Sequence, residues 1–281
     1  MQSDILTVID ENTHKFSRGQ KKIARFITEH FDKAAFLTAG KLAQLVGISE
    51  STVVRFAADI GYPGYPEMRR ALQDVVRGRL TGVQRIEASK DMLNSNDEIL
   101  LAILRSDAEN VRSTLDSIDH ENFKKAVAAI IEAKKIFILG LRTSSALSSF
   151  MGFYFDLLFD NVKVLNGDDD IHIARCQPGD VFIGISFPRY SHQTVSLLKT
   201  AKKNGSTVIA ITDAAASPIS KIADIKLFAK SDMISFADSL VAPLSVINAL
   251  IVAVGFAEKE QLPKRFQELE TLWSERDVYE K

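Results

Sequence analysis

The 281-residue sequence contains a single cysteine, Cys176, which excludes an intrachain disulfide framework and a cysteine-built metal cluster. Neither His172 nor His192 has a Cys or His partner at metal-ligand spacing, so no metal and no other cofactor is expected. Long apolar runs are missing too. The longest uncharged stretch, Ser239–Ala257, has 19 residues, which only reaches the lower limit for a membrane span. Pro243, Asn248 and two serines interrupt it, so a buried or interface-forming helix is expected and a membrane is not an expected partner. The N-terminal MQSDILTVIDENTHKF is acidic and has no apolar signal core. With the lone thiol, this makes a reducing cytoplasm the expected compartment.

There is little net charge. The chain as a whole carries −1, so it is not a general polyanion binder. The balance is uneven, however. Residues 1–90 hold 14 Lys/Arg against 10 Asp/Glu, a net of +4, and the remainder holds 21 against 26, a net of −5. A basic front ahead of an acidic remainder confines nucleic-acid contact to the front. The length suits two domains, and 46% hydrophobic with 25% charged residues is ordinary globular composition.

The pattern along the chain changes once. Residues 1–77 read as all-helical: FSRGQKKIARFITEHF over 16–31 puts Ile23, Phe26 and Ile27 on one face behind Ser17 as N-cap. Thr38 can cap a helix through Val46, and GYPGYP at 61–66 separates a further helix at Glu67–Val76. Residues 78–96 lack a sustained period and read as a linker. From 97 to 281, helical segments at 97–117 and 123–133 precede short apolar runs, among them KIFILGL, VFIGISF and TVIAIT. These alternate with helical stretches at 144–158, 191–203 and 219–222. Apolar strands alternating with helices predict a doubly wound parallel sheet of five strands.

Residues 41–61, KLAQLVGISESTVVRFAADIG, have the pattern of a helix-turn-helix. Leu42, Leu45 and Val46 supply the first helix's buried face, Gly47 takes the turn, and Ser49 caps the second helix. Glu50, Ser51 and Thr52 then lie at its exposed start, with Arg55 outward and Lys41 nearby, as expected DNA-contacting residues. An ordinary helical hairpin shows the same spacing. The small polar residues at the helix start and the surrounding Lys21, Lys22, Arg25, Arg69 and Arg70 favour DNA.

Two strand-to-helix turns stand out in the second domain: Gly140-Leu141-Arg142-Thr143-Ser144-Ser145 and Ser186-Phe187-Pro188-Arg189-Tyr190-Ser191. In open parallel sheets ligands bind at the carboxyl ends of strands, where helix N-termini, hydroxyls and arginine suit a phosphate. Serines at such places also serve simply as helix caps. Asp168, Asp169, Asp170, Thr212 and Asp213 occupy similar edges, where they are as well suited to capping as to meeting a sugar hydroxyl.

GQKKIARFI with KLAQLVGISESTVVRFAADIGYPGYPEMRRAL closely resembles the N-terminal domain of the RpiR family of bacterial transcriptional regulators. The second domain resembles a SIS phosphosugar-binding domain, which implies a flavodoxin-like strand order. Such domains usually carry G-x-G-x-S and S-x-S-G-x-T in the two turns. Gly140, Ser144, Ser186 and Ser191 fit, with Ser191 in place of threonine. Arg142 stands where the second glycine is usual, and Pro188 with Arg189 replaces Ser-Gly. The resemblance implies a non-enzymatic regulator of sugar or amino-sugar metabolism genes. Its partners would be a double-stranded DNA operator and a phosphorylated sugar effector, and it would pair as a homodimer or homotetramer. The segments 239–257 and 97–117 are the candidate pairing surfaces. A sugar-phosphate isomerase with an accessory helical domain is the competing reading. It needs a general base, for which His192 is the candidate.

Overall fold

The structure, a computed structural model, describes residues 5–79, 81–89, 95–257 and 262–279. Contacts divide the chain into two compact units, 1–106 with 232–237 and 107–231 with 238–281.

The first unit is helical: α1 Ile5–Asn12, α2 Arg18–Glu29, α3 Phe31–Ala34, α4 Ala39–Val46, α5 Glu50–Asp59, α6 Tyr65–Arg79 and α7 Gly82–Ser89. Ser17 opens α2 through a reciprocal capping box with Gln20, and Thr38 opens α4 by accepting the Lys41 N–H. Ile23, Ile27, Leu42, Val53, Phe56, Met68 and Leu72 are fully buried together, and Phe56 meets Phe16 edge-on at 5.1 Å. Where a linker over 78–96 is expected, Gly82–Ser89 is helical, while 80 and 90–94 lie outside the described residues.

The chain continues with α8 Asn96–Ser117 and α9 His120–Ile131. Then follow β1 Ile136–Gly140, α10 Ser145–Leu158, β2 Val162–Leu165, α11 Asp170–Ala174, β3 Val181–Ile185, α12 His192–Lys203, β4 Thr207–Thr212 and β5 Ile225–Phe228. The last helices are α13 Val241–Ala257 and α14 Leu262–Glu275. The sheet is five-stranded and wholly parallel in the order β2-β1-β3-β4-β5. This is the flavodoxin-like order that the SIS resemblance implies.

Successive residues of a strand point to opposite faces, which explains the near-continuous apolar strands of a sheet covered on both sides. Ile136 and Ile138 of β1, Ile183 and Ile185 of β3, and Ile209 and Ile211 of β4 enter one core with α9, α10 and α13. Phe137, Leu139, Phe182, Val208 and Ala210 enter the other, with α12. Phe137 and Phe182 are paired across β1 and β3 and stack at 4.6 Å. α13 buries Val246, Ile247, Leu250 and Val254 in the first of these cores. Among the described residues no single helix is long and apolar enough to cross a membrane.

Two local expectations fail. Residues 219–222 form hydrogen-bonded turns: the Ser217 hydroxyl accepts the Ser220 N–H as at a helix N-cap, and the Ala223 N–H reaches the Ile219 carbonyl, but the ladder goes no further. Leu45 is 58% exposed, whereas Leu42 is fully buried. At about 100° per residue, 42, 43 and 46 share the inward side of α4, and 45 falls about a quarter-turn off its centre.

The Tyr65 hydroxyl donates to the Leu37 carbonyl at 2.9 Å, and burial pushes its pKa up to about 12. An unfolded tyrosine ionises near 10, so between about pH 10 and 12 the unfolded state binds fewer protons and stability falls as pH rises. Denaturation midpoints followed across this window should therefore drop by an amount worth roughly 2–3 kcal/mol more in the parent chain than in Tyr65→Phe. Equal pH dependence of the two would contradict this assignment.

Candidate functional site

The α4–α5 pair is a tight helix-turn-helix. Gly47 ends α4 at φ 70°, ψ 51°, a left-handed conformation natural to glycine. The Ser49 hydroxyl caps α5 by accepting the Thr52 N–H at 3.3 Å and lies 2.8 Å from the Thr52 hydroxyl. Ser49, Glu50, Ser51 and Arg55 are exposed, as is Lys41, while Thr52 is half-buried near Gly19 of α2. The Glu50 carboxylate lies beside Gly40, in the first turn of α4, where the helix dipole favours negative charge. Val54, also on α5, is 44% exposed.

In the second unit both anion turns leave adjacent strands. Gly140, the end of β1, is in register with Ile185, the end of β3, so parallel pairing puts the two turns side by side. Arg142 has φ 57° and Arg189 has φ 69°. Apart from Asp277, they are the only non-glycine positive-φ residues among those described. A side chain in this left-handed region costs about 1–2 kcal/mol, which glycine avoids. The two arginines thus keep the backbone shape of a glycine turn while adding a guanidinium to each. Both are exposed, and among the described residues neither is engaged in an ion pair or side-chain hydrogen bond.

The hydroxyls separate into two groups. Thr143 donates to Asp238 at 3.2 Å, Ser145 donates to the Arg142 carbonyl at 2.6 Å, and Ser191 caps α12 by accepting the Thr194 N–H. These three hold the turns in shape. Ser144 and Ser186 are buried, and among the described residues their hydroxyls have no hydrogen-bond partner. Ser144 stands at the N-cap of α10 without making a side-chain capping bond. The turns therefore keep two unpartnered hydroxyls, two guanidiniums and the N-termini of α10 and α12 available for an anion.

Of the other edge residues, Asp169 accepts the Asn166 N–H at 2.7 Å, which holds its carboxyl below the usual range, and pairs with Lys163 at 3.4 Å. It works as a turn cap. Asp213 accepts from the Tyr190 hydroxyl at 2.8 Å, and the Thr212 hydroxyl, which donates to the Ser186 carbonyl at 2.7 Å, lies 3.1 Å from the same carboxylate. This Tyr190–Asp213–Thr212 network ties the second turn to the end of β4, and sequence spacing gave no sign that Tyr190 reaches 23 positions ahead. Cys176 is buried, and His192 is exposed at the first position of α12.

Comparison with known proteins gives these two units a family. The model of the rpiR-family helix-turn-helix domain matches residues 3–77, and the SIS domain model matches 129–253. The chain carries an rpiR-family helix-turn-helix domain and a SIS domain. A relative named as an HTH-type transcriptional regulator, from Caldanaerobacter subterraneus subsp. tengcongensis, is 27% identical over 266 residues, covering 90% of this chain and 91% of that one. Another so named, from Haemophilus influenzae, is 26% identical over 80% of this chain and 79% of its own length. Among solved structures, the sugar isomerase domain of an RpiR transcription factor from Sphaerobacter thermophilus is 29% identical with a TM-score of 0.60. It covers 62% of this chain and 99% of that one. The Vibrio vulnificus NanR protein complexed with ManNAc-6P shares the fold over 96% of this chain and 97% of that one, at 21% identity and a TM-score of 0.58.

Within this SIS domain, Gly140 is irreplaceable on steric grounds, because a Cβ there would sit 2.5 Å from the Ser144 backbone oxygen. Backbone cannot move aside as cheaply as a flexible side chain, so Gly140→Ala is expected to lower the unfolding free energy by about 1–3 kcal/mol. Denaturant titration of the two chains checks this, and an unaltered midpoint would refute the close packing of the turn.

Proposed function

We propose that this chain is a DNA-binding transcriptional regulator whose operator affinity is set by a phosphorylated sugar held at the β1 and β3 turns. The observation that carries the sensing half is the pair of left-handed arginines, each with an unengaged guanidinium, at the ends of adjacent parallel strands. Strained backbone persists where the surroundings over-determine it, and such positions gather at ligand sites. Gly140, Ser144 and Ser186 shape and line the anion seat, Arg142 and Arg189 supply its charge, and Thr143, Ser145 and Ser191 brace it. A protein of the same fold having been solved with ManNAc-6P accords with a sugar phosphate as the ligand.

The DNA-reading half rests on α5. Ser49, Ser51, Thr52 and Arg55 meet the major groove, Lys41 meets phosphate, and Glu50 fixes α5 against α4. Two such units must be joined for paired half-sites, so the chain works as a homodimer or homotetramer. It acts in the cytoplasm, without catalysis and without a cofactor. An isomerase needs a base aimed at a carbon acid. The buried carboxylate at this edge, Asp213, is already taken up by Tyr190 and Thr212.

Gel-shift titration against the chain's own upstream region, repeated with a panel of sugar phosphates, tests both halves. At least one sugar phosphate should move operator affinity by about 5–150-fold, the usual range of allosteric coupling. Arg142→Gly and Arg189→Gly relieve the strained backbone, so they should fold normally yet lose at least tenfold in response to that ligand, about 1.4 kcal/mol. Undiminished response in both would sink the arginine seat. Turnover of aldose or ketose phosphates without DNA binding would establish the isomerase instead.

A further inference from the structure

We propose that the outer face of α2 is a second DNA-contact surface, which grips the phosphodiester backbone beside the groove that α5 enters. This inference rests on the DNA-binding reading above and extends it to residues outside the helix-turn-helix. α2 buries Ile23, Ala24 and Ile27 and turns its other side to solvent. Arg18, Lys21, Lys22 and Arg25 lie on that side at spacings of three and four, which aligns them along the helix. Among the described residues none of the four is engaged in an ion pair. They line a cleft of about 590 Å³, closed on one side by Val46, the last residue of α4.

The position of this cleft identifies its occupant. Val46 directly precedes the Gly47 turn, and a Cβ on Gly19 would lie 3.6 Å from the Thr52 side chain and 4.0 Å from that of Ile48. The Gln20 amide also donates to Asp59 of α5 at 2.5 Å. The start of α2 is therefore held against both the first turn and the last residue of the recognition helix, and the cationic row is carried on this helix. From residue 18 to residue 25 it covers about 10 Å at 1.5 Å per residue, long enough to follow successive phosphates of one strand. One compact anion would use only a part of such a row. Glu29 is the one carboxylate on the cleft wall among the described residues, and it stands at the far end from Arg18, beside His30. Contacts of this kind carry no sequence information, so this face supplies affinity and register while α5 supplies specificity.

The test is a combined Lys21→Ala, Lys22→Ala and Arg25→Ala variant of the full chain. Binding to a labelled duplex from the upstream region and to a scrambled duplex is measured by anisotropy across a salt series. Each lost phosphate contact lowers the slope of log K against log salt by about 0.9. The slope is expected to fall by about two to three, and affinity for both duplexes to fall by similar factors. Lys21→Arg with Lys22→Arg should preserve the slope. Should the triple variant lose helix content by circular dichroism, the single substitutions Lys21→Gln and Lys22→Gln are expected to reduce the slope by about one each. An unchanged slope in the variants, with the parent chain binding DNA, overturns this second surface and leaves the regulator reading standing. Failure of the parent chain to bind either duplex overturns both.

Discussion

Parallel pairing between β1 and β3 is the constraint on which the sensing unit depends. With Gly140 opposite Ile185, both strands end at the same level, and the chain must leave each through a turn into a helix on the sheet's flank. Those turns need a left-handed residue to redirect the backbone, and here arginine takes the position in both. The site is therefore a consequence of register. A slip of β3 against β1 would separate the two guanidiniums, expose Phe182 from its stack on Phe137, and open the core on one side of the sheet.

The same logic applies on a smaller scale in the helical unit. Gly47 at φ 70° sets the angle between α4 and α5, and the Ser49 cap fixes where α5 begins. Phe56 and Val53 then lock the inner side of α5 into a core completed by α2 and α6. A recognition helix can present polar residues to a partner only because its opposite face is held this firmly.

Much of this was legible in the sequence. The change from 3.6-residue to strand-like patterning located the sheet, and the serine and threonine caps at 17, 38 and 49 stand where the structure has them. Leu45 is apolar yet exposed, because helix geometry puts it on the rim of a short helix. The segment 219–222 starts as a capped helix would and stops after one turn, a length that periodicity cannot fix. The candidate site was legible as residue types but not as roles. Motif position singled out Arg142 and Arg189, yet only backbone angles show that they adopt glycine's conformation. Likewise, Ser144 and Ser191 look equivalent in sequence, and hydrogen bonding alone separates the free hydroxyl from the structural cap.

The central claim is that one anion seat is formed by the two turns together. Hydrogen exchange followed by mass spectrometry, with and without the sugar phosphate that shifts operator affinity, tests it most directly. The account predicts slowed exchange in two separate stretches, 141–148 and 187–195, since one ligand bridges both helix N-termini. Protection of only one stretch, or protection confined to the apolar groove around Tyr154, Asn248 and Phe266, would contradict it.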